Sequence, residues 1–298
     1  MRIPAELAET LAVVIDEGSM DAAARRLHIS PSAVSQRIKA LEEQIGRVLL
    51  VRAKPVRATD AAHAVIRFAR QLALLERDAV AELGDVDRIS IPLAVNADSL
   101  STWMLEPLAR ISTGHPVVFD LHRDDQDFTA GLLESGTVMA AVTSRRTPVA
   151  GCRVSVLGAL RYEAVATRGF RDRWFADGVE SAALDDAPVI DFDRRDDLQT
   201  RWLRAHGAGA IPPRHFVPAS HDFAAAVQLS LGWAMLPTLQ ADRGLASGEL
   251  VRLGGDPIDV PLYWQQWNLR SPLLDAVATA IVEEGRRVLR PAPSLNRR

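Results

Sequence analysis

A single cysteine, Cys152, is all this chain of 298 residues carries, so no disulfide can form within it. That usage fits a reducing, cytoplasmic setting. No apolar run approaches the roughly 18 residues that span a bilayer, which argues against a membrane partner. The start, Met1-Arg2-Ile3-Pro4-Ala5-Glu6, lacks the basic-then-apolar layout of a secretory signal. The seven histidines are scattered at positions 28, 63, 115, 122, 206, 215 and 221, without metal-ligand spacing, so no metal is expected. There is no Gly-x-Ser-x-Gly elbow, no Gly-x-Gly-x-x-Gly after the strand at 89–95 and no phosphate-binding loop. Neither an enzyme nor a bound cofactor is therefore expected. Internal repeats and low-complexity segments are absent as well.

What is present is enough for about two or three domains at roughly 100–200 residues each. Hydrophobic residues at 48% and charged residues at 24% allow a real core. The overall charge of −3 conceals a basic block. Between Arg25 and Arg57 stand Arg25, Arg26, Arg37, Lys39, Arg47, Arg52, Lys54 and Arg57, opposed only by Glu42 and Glu43. Such a block is the electrostatic footprint of phosphate contact. Taken on charge alone, it serves a solvated basic face equally well.

Leu7, Leu11, Val14 and Ile15 repeat at helical spacing and predict a first helix over about 4–17. Gly18 ends it, and Ser19 caps a second helix over 20–27. Ser30 caps a third, with Pro31 at its first position, where a missing N–H costs nothing. Val34, Ile38 and Leu41 form the inner stripe of this third helix. Ser32, Ser35, Gln36 and Lys39 point the other way. Two short extended pieces around Lys54-Pro55 read as a β-wing. Residues 60–84 then read as one long helix. Its Val65, Phe68, Leu72 and Leu75 fall at three- and four-residue steps, either a dimerising coiled-coil seam or a stripe packed on its own domain.

After Asp85-Val86-Asp87 the texture becomes strand–helix alternation, which predicts a largely parallel α/β domain. Strands are expected at 89–95, 117–121, 139–143, 154–156, 163–166, 188–192, 215–217, 233–236 and 262–267. Helices are expected at 102–111, 129–135, 198–205, 222–231 and 273–289. The whole is an α+β multidomain chain: a winged helix-turn-helix at 1–59, a linker helix at 60–86 and a two-lobed α/β domain at 87–298. Within the last, one lobe takes about 87–161 and 268–292, and the other about 162–267.

The segment Ser19 to Glu42 carries the most specific signal. Small alanines at 22–24 let the third helix lie close across the second, presenting its polar face to a major groove that admits one helix. Ser30, Ser32, Ala33, Ser35, Gln36, Arg37 and Lys39, with Arg52, Lys54 and Arg57 of the wing, are the candidate DNA contacts. An ordinary three-helix core with a polar face is the plainer reading of those residues. In the α/β domain, Asn96-Ala97-Asp98-Ser99 follows a strand and opens a helix, so its backbone N–H groups can hold a ligand carboxylate, with Ser99 and Thr102 adding hydroxyl donors, while plain capping by Asp98 or Ser99 serves equally well. Thr143, Asp191, Asp193 and Asp222 stand at element ends. Trp264 is either a pocket wall or core.

Val34-Ser35-Gln36-Arg37-Ile38-Lys39-Ala40-Leu41-Glu42, followed by Leu49-Leu50-Val51-Arg52, closely resembles the winged helix-turn-helix of LysR-type transcriptional regulators. Leu93 to Trp103, Leu245 to Leu250 and Leu262-Tyr263-Trp264 resemble, more narrowly, the branch that regulates lysine and arginine export. The wing's usual Leu-Thr-x-x-Gly ending is Ala58-Thr59-Asp60-Ala61-Ala62 here. The resemblance implies effector lobes similar to periplasmic binding proteins, and a homodimer or homotetramer on a double-stranded DNA operator. It also implies partnership with RNA polymerase, a basic amino acid such as L-lysine as effector, and control of an exporter gene. For the cation, Asp193 helped by Asp191 or Asp222 is the expected receptor. A solute-binding protein with an accessory N-terminal unit is the competing reading.

Overall fold

The computed structural model describes residues 2–83, 88–123 and 129–292. The expected linker–effector boundary at 86/87 lies outside them. Contacts divide the chain into one unit of Met1–Val95, Leu108–Val154 and Gln265–Ala280, and another of Asn96–Pro107, Ser155–Trp264 and Ile281–Arg298.

The first unit opens with α1 (Ala5–Glu17), α2 (Met20–Arg26) and α3 (Pro31–Ile45). Gly18 adopts φ 66° at the end of α1, a left-handed turn that an L side chain would strain. The hydroxyls of Ser19 and Ser30 accept the N–H groups of Ala22 and Ala33 at 3.1 and 3.2 Å, capping α2 and α3. Ala8, Leu11 and Val14 of α1 meet Ala23, Ala24, Val34, Ile38 and Leu41 in one buried core. The wing strands β1 (Leu50–Val51) and β2 (Arg57–Ala58) pair antiparallel. Glu42 accepts the N–H of Leu49 at 2.7 Å, and Val56 donates to the Gly18 carbonyl at 2.8 Å, fastening the wing to the helices. Next comes the long helix α4 (Asp60–Glu82), whose Ala62, Val65, Ile66 and Ala69 close the same core.

In the same unit β3 (Ile89–Val95) pairs in parallel with β4 (Val117–Arg123) and β5 (Ala140–Thr143). The helix expected over 102–111 is instead α5 (Ala97–Thr102), which belongs to the second unit, and α6 (Leu105–Gly114). Trp103 and Met104 between them are buried as anchors. The short helix α7 (Thr129–Glu134) precedes β5.

In the second unit the expected strands at 154–156 and 163–166 belong to one strand, β6 (Cys152–Thr167). Gly158, between the two expected pieces, serves close packing: a Cβ there would sit 2.7 Å from the Arg290 carbonyl oxygen. The helices α8 (Arg168–Trp174) and α9 (Ser181–Asp186) follow, then β7 (Val189–Asp191), α10 (Leu198–Ala205) and β8 (Arg214–Phe216). Beyond these lie α11 (Ser220–Gln228), β9 (Ala234–Pro237), α12 (Thr238–Ser247), β10 (Leu250–Arg252) and β11 (Ile258–Trp267), and α13 (Pro272–Val288) ends the fold. β7 and β8 are parallel, but β6 pairs antiparallel with both β9 and β10, a departure from the largely parallel expectation. Periodicity reports which face of a strand is buried, not its direction. Val165, Phe223, Ala224, Val227, Ala234, Leu236 and Ala241 form the core here.

Candidate DNA-recognition surface and effector site

On α3, Ser32, Ser35, Gln36 and Lys39 are exposed, as the helical period requires once Val34, Ile38 and Leu41 face inward. Ser30 spends its hydroxyl on the cap and lies 2.9 Å from that of Ser32. Ala33 is half-buried beside them. Lys39 stands 3.6 Å from Glu43 one turn on, an exposed pair of little energetic weight. Arg37 departs from the outward face expected of it. Its guanidinium pairs with Glu6 and lies 3.4 Å from the Thr10 hydroxyl, tying α3 to α1. Arg52, Lys54 and Arg57 are exposed on the wing. Serines, an amide and cations therefore line one surface, the equipment for reading base edges and gripping phosphates.

The α4 stripe divides. Val65 is 3% exposed and packs within its own domain, which corrects its assignment to an intermolecular seam. Phe68 and Leu75 are exposed, and Leu72 is half-buried. Phe68 and Leu72 line an open groove of about 870 Å³ with Ile3, Pro4 and Gln44.

The second unit gathers a polar site around Asp98, carried on α5. Its carboxylate accepts the Tyr162 hydroxyl at 2.6 Å and the Ser220 hydroxyl at 2.7 Å. Tyr162 comes from β6 and Ser220 from the start of α11. The Ser101 and Ser220 hydroxyls lie 2.9 Å apart, and Gln240 donates to the Ser220 carbonyl at 3.1 Å. Burial pushes the Asp98 carboxyl above its ordinary range, and the hydroxyls of Ser220 and Tyr162 only partly offset it. No cation pairs with this carboxylate among the described residues. Beside it, Ser99 and Asn96 are buried, and neither the Ser99 hydroxyl nor either polar atom of the Asn96 amide has a hydrogen-bond partner among the described residues.

Asp196 adds to this acidity. Burial raises its carboxyl to about 6 despite N–H groups from Leu198 and Phe192, and the charges of Asp191 and Asp98 raise it further. Sequence reasoning missed Asp196, Tyr162 and Ser220, because nothing sets Asp196 apart from Asp191, Asp193 and Asp197 around it, and single hydroxyl residues on unrelated elements show no spacing. The expected acids fare unevenly. Asp191 is buried and pairs with Arg214 at 2.5 Å. Burial would raise Asp193, but the backbone N–H and guanidinium of Arg195 hold it below the usual range. Asp222 is exposed on the first turn of α11, which departs from the semi-buried position a cation receptor needs. Neither Asp98 nor Ser99 caps α5 with its side chain, and the capping position is Asn96. Thr102 donates to the Asp98 carbonyl at 2.6 Å, and Trp264 is 1% exposed, a core residue. Thr143 belongs to the first unit, where its hydroxyl accepts the Arg145 N–H at 3.1 Å.

A winged helix-turn-helix followed by a long helix and α/β units bearing a buried polar site defines a ligand-responsive DNA-binding regulator. The family descriptions agree: residues 6–63 match the bacterial regulatory helix-turn-helix protein family of the lysR type, and residues 84–286 match the LysR substrate binding domain. The chain belongs to the LysR family and is a DNA-binding transcriptional regulator, not an enzyme. It is 46% identical over 275 residues to the HTH-type transcriptional regulator LysG of Mycobacterium tuberculosis, covering 91% of this chain and 90% of that one. It is 41% identical over 287 residues to the lysine export transcriptional regulatory protein LysG of Corynebacterium glutamicum, covering 95% and 98%. The full-length C. glutamicum LysG solved with bound effector Arg superposes with a TM-score of 0.79 at 39% identity, covering 97% of this chain and 100% of that one. These matches overturn the solute-binding alternative. No helix among the described residues is long and apolar enough to cross a membrane.

Proposed function

We propose that this regulator senses a basic amino acid, lysine or arginine, and controls a gene for a basic amino-acid exporter. The observation that carries the reading is the Asp98 carboxylate, desolvated, hydrogen-bonded among the described residues only by hydroxyls, and raising Asp196 through its charge. A buried carboxylate without a cation is costly, and a ligand ammonium or guanidinium removes that cost. Asp98 is the cation receptor in this reading, in place of Asp193 and Asp191, whose charges Arg195 and Arg214 already meet. Ser99 and Asn96 offer unspent donors to the effector's carboxylate. Thr102 supports the site through its hydrogen bond to the Asp98 carbonyl. The C. glutamicum relatives, one named for lysine export and one holding Arg, support this choice of ligand.

On DNA, Gln36, Ser35 and Ser32 read bases, while Lys39, Arg52, Lys54 and Arg57 hold phosphates. Arg37 and Ser30 shape α3, and Ala33 allows close approach. The exposed Phe68 and Leu75, with half-buried Leu72, form the seam of a cytoplasmic homodimer, which pairs further into a homotetramer and engages RNA polymerase. The working divisions are 1–59 for DNA, 60–86 for the linker and 87–298 for the effector. Thermal-shift screening against the twenty amino acids, repeated with DNA from the neighbouring intergenic region, tests the reading. Stabilisation by lysine or arginine above the neutral amino acids supports it, and a uniform response contradicts it.

A further inference from the structure

Helix α4 carries two arginines that meet the same corner of the effector domain, the turn from α7 into β5. Arg67 donates to the Glu134 carbonyl at 3.4 Å, and Arg70 donates to the Gly136 carbonyl. Both acceptors lie at the C-terminal end of α7, where carbonyls lack helical partners and the helix dipole favours cations. Gly136 itself adopts φ 74° against the helix, and a Cβ there would fall 2.8 Å from the Cα of Arg67. The corner thus rests on α4 backbone to backbone, pinned by two guanidinium groups. The other arm of Arg70 pairs with Asp16 on α1, and the Arg70 side chain is only 12% exposed. Asp16 lies 3.9 Å from Arg26 of α2, which pairs with Glu17 at 3.1 Å. One guanidinium therefore joins the α7 corner to the helix-turn-helix, and the charge chain continues to the helix that supports α3.

We propose that Arg70 is the coupling strut through which the α7–β5 corner controls the placement of the DNA-binding helices. A planar guanidinium can hold a carbonyl and a carboxylate at once in fixed geometry, which a lysine ammonium or an amide at this position cannot. The part of the proposal that concerns effector response rests on the basic-amino-acid reading above.

The test uses the full-length protein as wild type, Arg70→Gln and Gly136→Ala, the last lifting the corner from α4 without touching α1. Amide hydrogen exchange should quicken in Arg70→Gln at both residues 133–138 and the C-terminal half of α1. In Gly136→Ala it should quicken at 133–138. Operator affinity with and without saturating L-arginine should differ about fivefold or more in wild type, the lower range of allosteric coupling. In both variants the ratio should fall close to one, with calorimetric affinity for L-arginine kept. Unchanged exchange at 133–138, or a variant that keeps the wild-type ratio, overturns the strut. If L-arginine fails to bind wild type, the effector reading falls. The strut is then decided by exchange together with effector-free operator affinity, which should shift about fivefold in Arg70→Gln. If Arg70→Gln does not fold, Gly136→Ala decides alone on the same measurements.

Discussion

The hydroxyl of Tyr162 donates to the carboxylate of Asp98 over 2.6 Å, joining β6 to α5, while the Ser220 hydroxyl takes the other carboxylate oxygen. Two neutral donors orient this group without neutralising it. In the proposed reading, the effector's cation supplies the missing partner.

Tyr162→Phe removes one of those donors and should raise the Asp98 carboxyl further, since a hydrogen bond to the ionised form favours it. Effector affinity should fall by about 1.5–3 kcal/mol, the range for a hydrogen bond to a charged group. Calorimetry over a pH series checks this, with a larger loss expected toward lower pH.

Asp196, raised from 3.8 to about 6, holds its proton longer folded than unfolded. Its contribution to stability is complete below about 4 and lost as pH rises through about 6. Asp196→Asn should therefore unfold at a higher temperature than wild type at pH 7.5, by about 1–2 kcal/mol of the roughly 3 that the shift allows. Near pH 4 the two should converge. A cation needs the carboxylates ionised, so lysine affinity should weaken as pH falls and Asp98 and Asp196 take up protons.

Gln36→Ala should weaken operator binding by about 1–3 kcal/mol and relax selectivity at one base pair. Arg52→Ala should weaken binding to every sequence and flatten the salt dependence by about one phosphate contact. Mobility shifts at several salt concentrations separate the two. Equal operator affinity for Gln36→Ala and wild type removes Gln36 from the base-reading face.

Leu72→Glu places a charge in the groove that Ile3, Pro4 and Phe68 line. Dimers should dissociate in sedimentation, and operator binding should be lost with the joint engagement of two half-sites. A folded variant of native mass that binds normally would show that this face has no partner.

The helix-turn-helix was legible because its signals are local: Ser19 and Ser30 cap, Gly18 and Gly46 stop, and Val34, Ile38 and Leu41 mark the inner face. The strand β3 was read over its observed span, Ile89–Val95, for the same reason. Legibility ends where partners are distant in sequence. Arg37 looks like a DNA contact until Glu6 is seen beside it. Asp191 and Asp193 look like free carboxylates until Arg214 and Arg195 arrive. Tyr162 and Ser220 reach Asp98 across 64 and 122 positions, which no spacing argument finds.

Calorimetry of L-lysine, L-arginine and norleucine against wild type and Asp98→Asn tests the account most directly. Both basic amino acids should bind wild type, norleucine should bind far more weakly, and Asp98→Asn should cost about 2–5 kcal/mol for the cationic ligands. Norleucine binding as tightly as lysine, or a lysine affinity indifferent to Asp98→Asn, would contradict the cation site.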